Sequence, residues 1–172
     1  MIACFEPSGD WIVRRLMRQL AENGVNDLYE SFGFRPHITL TEFSTDDFSQ
    51  VCEQMNQLKT QIKPVEIRLS SLGIFPGAQG VFYLVPTINA ELLSMHRAVQ
   101  AAIEPYCQDF SPLYREAEWV PHCTLVLELD PLELPRAYDV MLEHFQPFNT
   151  KLVAMEIITC CPFRTVFCHD LE

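Results

Sequence analysis

Two short stretches of this chain carry residues that could do acid–base chemistry, and they share one pattern. "PHITL" (36–40) and "PHCTL" (121–125) both read Pro-His-x-Thr-Leu, and the histidines, His37 and His122, lie 85 residues apart. In an extended strand, residues i and i+2 share a face. His37 and Thr39 therefore point one way while Ile38 and Leu40 point the other, and His122 and Thr124 are set against Cys123 and Leu125 in the same manner. Imidazole titrates near neutral pH, so of two such groups one can act as base while the other acts as acid. Phosphodiester cleavage, or the opening of a cyclic phosphate, needs that pair. One histidine takes a proton from the attacking water or hydroxyl, and the other protonates the leaving oxygen. Threonine hydroxyls can donate to the non-bridging phosphate oxygens. The chemistry requires no metal and no cofactor. No carboxylate cluster and no zinc-type Cys/His spacing accompanies the motifs. A single His-x-Thr on a strand is ordinarily structural, and a four-of-five match arises by chance about one time in ten. The surrounding elements must decide.

Those elements repeat. Strand patterns run over 2–6, 36–43, 65–75 and 80–86, with helical patterns over 8–24 and 44–62. In the first helix Ser8 or Asp10 is the expected cap, Trp11, Leu16 and Leu20 the expected buried face, and Gly24 the stop. The order then begins again: a helix at 89–107 capped by Asn89, a strand at 121–129, a helix at 131–145 with Pro135 near its first turn, and strands at 152–160 and 163–171. The 85-residue offset carries 46–60 onto 131–145, 65–75 onto 150–160 and 80–86 onto 165–171. This reads as an internal duplication. The expected architecture is α+β: a bilobal duplicated fold with two antiparallel sheets flanked by helices around a central cleft. It forms a single domain, with approximate halves 1–86 and 87–172, each holding one motif.

Composition limits the partners. The net charge is −11, with 12 basic and 23 acidic residues and no Lys/Arg run, which argues against long nucleic acid. A small nucleotide or an RNA end remains compatible. No apolar stretch has the length of a membrane span, and the N-terminal "MIACFEPSGD" lacks the pattern of a signal peptide, so a cytoplasmic monomer is expected. The seven cysteines read as reduced, the adjacent Cys160 and Cys161 included. His96, His144 and His169 read as packing or surface residues, and "YREAEW" (114–119) as a solvated loop.

The double motif, His37-Ile38-Thr39-Leu40 and His122-Cys123-Thr124-Leu125, resembles the signature of the two-histidine phosphoesterases. These include the RNA 2′,3′-cyclic phosphodiesterases and 2′-5′ RNA ligases. "GFRPHITL" and "SLGIFPGAQGVFYLVPTINAELLSMHRAV" extend the likeness over most of the chain. The resemblance implies a bilobal cleft and metal-independent action on a 2′,3′-cyclic or 2′,5′-linked phosphoester. It implies that His37 and His122 are the acid/base pair and Thr39 and Thr124 the phosphate ligands. Arg35, on the face of His37 if the strand extends that far, and Tyr83 and Arg164 in the return strands, are further candidates for substrate contact, with a plain rim position as the other reading. Against the enzyme stands a second class, a binding module that keeps the cleft to hold a nucleotide or phosphometabolite without turnover. Two titratable groups favour the enzyme, since binding alone does not require them.

Overall fold

Alternation of apolar and polar residues builds the strands. In 65–69, Val65, Ile67 and Leu69 are buried while Glu66 and Arg68 are exposed, the pattern of a strand with one face on a core. The computed structural model describes residues 1–28, 32–33, 35–58, 60–159 and 163–171. Within them the elements are β1 (Ile2–Phe5), α1 (Pro7–Glu22), β2 (His37–Thr39), β3 (Phe43–Ser44), α2 (Phe48–Leu58), β4 (Val65–Phe75), β5 (Gly80–Pro86), α3 (Ala90–Ile103), β6 (Asp109–Phe110), β7 (Cys123–Leu129), α4 (Leu134–His144), β8 (Phe148–Thr159) and β9 (Arg164–Asp170).

The fold is α+β with two antiparallel sheets. The larger runs β2-β1-β8-β4-β5-β7, with β9 also paired to β8; the smaller is the ribbon β3-β6. The large sheet curls until its outermost strands meet. Beside β7, the Trp119 indole donates to the Thr39 carbonyl at 3.0 Å, which ties the two ends together. Helices cover the convex face over one continuous core that includes Phe5, Leu16, Met55, Phe82, Leu92 and Ile103. α1 packs on α4, and α2 on α3.

Strand register exposes the repeat. Thr39 pairs with Ile2, and Ile2 with Glu156. In the other half Thr124 pairs with Tyr83, and Tyr83 with Gly73. β2-β1-β8 and β7-β5-β4 are thus the same three-strand ladder, joined where β8 meets β4. The helix pairs obey the same two-fold, since it exchanges α1 with α3 and α2 with α4. The counterpart of β5 is therefore β1, not β9 as the fixed offset implies. Sequence spacing finds the nearest equal distance, whereas the sheet pairs strands by position, and β9 is an added strand.

Helix details differ from expectation in two places. Trp11 is exposed, and the buried stripe of α1 is Gly9, Val13, Leu16, Met17 and Leu20. Trp11 is five residues from Leu16, which turns it well off that face. No side chain caps α1, which follows Glu6 and opens with Pro7. Gly24, at φ +76°, does end it, and the Asn89 side chain accepts from the Leu92 amide at 2.8 Å to cap α3.

Candidate active site

The motif strands are the two ends of the sheet, and this explains their prolines. Pro36 and Pro121 precede the histidines; lacking an amide N–H, they suit a strand paired on one side only. Proline also holds the residue before it extended. That residue's carbonyl is used the same way in both copies. His37 Nδ1 lies 2.6 Å from the Arg35 carbonyl, and His122 Nδ1 lies 2.7 Å from the Val120 carbonyl. A carbonyl oxygen only accepts, so each Nδ1 carries hydrogen, and Nε2 is the nitrogen at which protonation changes.

Ile38, Leu40, Cys123 and Leu125 are buried in the core. His37, Thr39, His122 and Thr124 all line one cleft of about 890 Å³ on the concave face. The geometry thus brings the four motif residues to a shared space. His37 is 8% exposed; burial pushes its pKa down to about 4, against the bond to the Arg35 carbonyl, and the nearby Met1 α-amine and His122 push it the same way. His122 is half-buried and is also lowered by burial, opposed by its bond to the Val120 carbonyl.

The flanks differ. On the His122 side, Tyr83 lies 5.0 Å from the imidazole and 4.4 Å from Phe75, and the Phe75 ring meets His122 edge-on at 4.9 Å. Tyr83 covers Gly73, where a Cβ would come within 2.3 Å of the phenol ring, so only glycine lets the ring lie there. On the His37 side, Glu156 is buried and takes Arg35 Nη1 at 2.6 Å and the Thr165 hydroxyl at 3.1 Å. Arg35 also reaches the Phe5 carbonyl at 3.4 Å.

Of the further candidates, Tyr83 packs against His122 without lining the cleft, while Arg35 and Arg164 line a smaller neighbouring cavity of about 340 Å³. Arg35 already neutralises Glu156. No group of three or more His, Cys, Asp or Glu among the described residues is arranged to hold a metal ion. Sequence reasoning missed Trp119, Phe75 and Glu156. Trp119 stacks on His96 with centroids 3.8 Å apart and planes 5° apart, which makes His96 a fully buried packing residue. A lone acid within the apolar run "VAMEII" was the available signal for Glu156.

Residues 34–159 match the sequence profile of the 2′-5′ RNA ligase superfamily, a span that contains both motifs and the strands between them. The chain belongs to that superfamily. One relative of this chain is a Bacillus licheniformis protein with the provisional name of phosphoesterase, 27% identical over 97 residues. That match covers 55% of this chain and 53% of the relative, so the chain spans about half the length of the curated relative it matches. In this superfamily member, no helix among the described residues is long and apolar enough to cross a membrane.

Proposed function

We propose that this chain is a phosphoesterase that opens or cleaves a 2′,3′-cyclic or 2′,5′-linked phosphoester of a small nucleotide or RNA end. The observation that carries the reading is the matched pair of imidazoles. Both line one cleft, both are held as the Nδ1–H tautomer by a carbonyl two residues back, and each has a threonine beside it on the same face.

In hydrolysis, water attacks phosphorus, one imidazole Nε2 takes its proton, and the other imidazole's Nε2–H protonates the departing sugar oxygen as the P–O bond breaks. The pair ends the cycle with its protons exchanged, and solvent restores them. His37, the more deeply buried and the harder to protonate, suits the base in this direction, and His122 the acid. Thr39 and Thr124 donate to the non-bridging oxygens as charge builds there. No divalent ion takes part in these steps.

The deciding experiment is a panel of nucleoside 2′,3′-cyclic phosphates, RNAs ending in a cyclic phosphate, and 2′,5′-oligoadenylates, assayed with and without chelator. The reading expects metal-independent turnover of at least one substrate. Loss in chelator with restoration by a divalent ion would sink the mechanism. Substrate binding without turnover, unchanged in His37→Ala and His122→Ala, would establish the binding module instead.

A further inference from the structure

We infer that the cleft selects a substrate carrying a single phosphate, and that Glu42 and Glu118 repel a second one. The inference rests on the phosphoesterase reading and narrows its substrate class to a monoanionic phosphodiester with an aromatic or apolar body.

Charge around the cleft is the first observation. Among the described residues that line it, none is lysine or arginine. The side chains available to balance a phosphate are the two imidazoles, and a working acid/base pair holds one extra proton at a time. One positive charge matches the single negative charge of a phosphodiester. A terminal phosphate monoester brings up to two more negative charges; the cleft has no side-chain cation left for them, and the Met1 α-amine near His37 is buried and donates to the Thr41 carbonyl at 2.6 Å.

The second observation is where the carboxylates stand. Glu42 and Glu118 both line the cleft, both are exposed, and neither forms an ion pair among the described residues. Each is tethered to a motif: Glu42 follows Thr39 by three residues, and Glu118 precedes His122 by four. An extended chain spans at most about 3.5 Å per residue, so each backbone lies within roughly 10–14 Å of its motif. That is close to the screening length at physiological salt, about 8 Å, so a phosphate near the mouth feels both acids, and more strongly as salt falls.

Third, the walls are apolar. Phe43, Phe48, Phe75, Leu113, Trp119 and Val120 line the cleft, and Phe48, Leu113 and Val120 keep substantial exposure toward solvent. Such a lining accepts a base or another flat apolar group and gives a second phosphate nothing to bind. A chain segment of RNA, with a phosphate at every step, fits this cleft worse than its terminal nucleotide does.

The test compares a nucleoside 2′,3′-cyclic phosphate with the same compound bearing a 5′-phosphate. At low ionic strength kcat/KM should be about tenfold lower for the 5′-phosphorylated compound, and the gap should shrink as salt is raised. The Glu42→Gln/Glu118→Gln protein should show a smaller ratio between the two substrates, with the single variants between it and wild type. Both side chains are exposed, and circular dichroism checks that the variants are folded; the salt series on wild type gives the answer independently. Equal turnover of the two compounds, preference for the 5′-phosphorylated one, or a gap indifferent both to salt and to the double substitution overturns the inference and leaves the phosphoesterase reading standing. If neither compound nor any other panel member is hydrolysed, that reading falls and this inference with it.

Discussion

The two half-sites present the same His-x-Thr pair in the same ladder but surround it with opposite chemistry. Beside His122 the ladder continues into Tyr83 and Gly73, and Phe75 completes an aromatic enclosure. Beside His37 it continues into Ile2 and Glu156, and the carboxylate is held by Arg35 and Thr165. One histidine is thus flanked by packed rings and the other sits near the ion pair of buried Glu156 with half-buried Arg35. Duplication supplies two copies of one arrangement; divergence of the neighbours makes them unequal, which is what the base and acid roles proposed above require. The lesson is that equivalent ladder positions, Glu156 and Gly73, are where this asymmetry is written.

The strongest break of the comparison is removal of either imidazole. His37→Ala and His122→Ala should each lower kcat by about 10²- to 10⁴-fold, measured on the best panel substrate. A large loss for one and none for the other would show that the halves do not work as a pair.

Titration should separate them next. The folded-state pKa of His37 is pushed down to about 4, below the ordinary imidazole value. The unfolded chain therefore takes up the proton first as pH falls. Stability from this group is intact above pH about 6.5 and declines on acidification toward about 4, by a total on the order of 3 kcal/mol. Urea midpoints of wild type and His37→Gln at neutral pH and near pH 5 should reveal it: acidification should cost the variant less. An identical acid response in both proteins would contradict it.

Arg35→Ala should act through its neighbour. It strands a buried carboxylate, and because the guanidinium is partly exposed the loss is about 2 kcal/mol rather than the full cost of breaking a buried pair. Adding Glu156→Gln should recover part of that loss, giving a coupling that a double-mutant cycle can read.

The smallest effect probes the aromatic side. Gly73→Ala would drive Tyr83 off its place over the sheet and loosen the wall behind His122. Turnover should fall about tenfold, as expected for misplaced catalytic groups, with little change in the pH response attributed to His37.

Much of this was legible in the chain. The period of two places Thr39 and Thr124 on the histidine face and puts Ile38 and Cys123 in the core, because a strand leaves no other choice. Most element positions follow from apolar spacing, though β2 and α2 are shorter than their patterns. What the chain did not disclose depends on closure. That Trp119 bridges β2 and β7 is a property of sheet curl. β1 has four residues and no sequence likeness to β5, so only cross-strand register reveals them as counterparts. Glu156 stood out as an acid among apolar residues, but its partner Arg35 is 121 positions away. The reading of Cys160 and Cys161 lies outside the described residues; Cys4, Cys52, Cys107, Cys123 and Cys168 are free thiols.

The placement of β1 has a consequence for the order in which the molecule can be assembled. Its residues pair on one edge with 37–39 and on the other with 152–156. During translation at about 5–20 residues per second, Ile2–Phe5 emerge on the order of ten seconds before the strand they need. Until then β1 has an open edge and the first three-strand ladder lacks β8. The chain from β4 through β8 carries the central hairpin and must be largely in place before the amino-terminal strand can lock in. Folding should therefore be slow for the chain's size, governed by a contact some 150 residues long, and a fragment ending before β8 should hold β1 by its β2 edge alone.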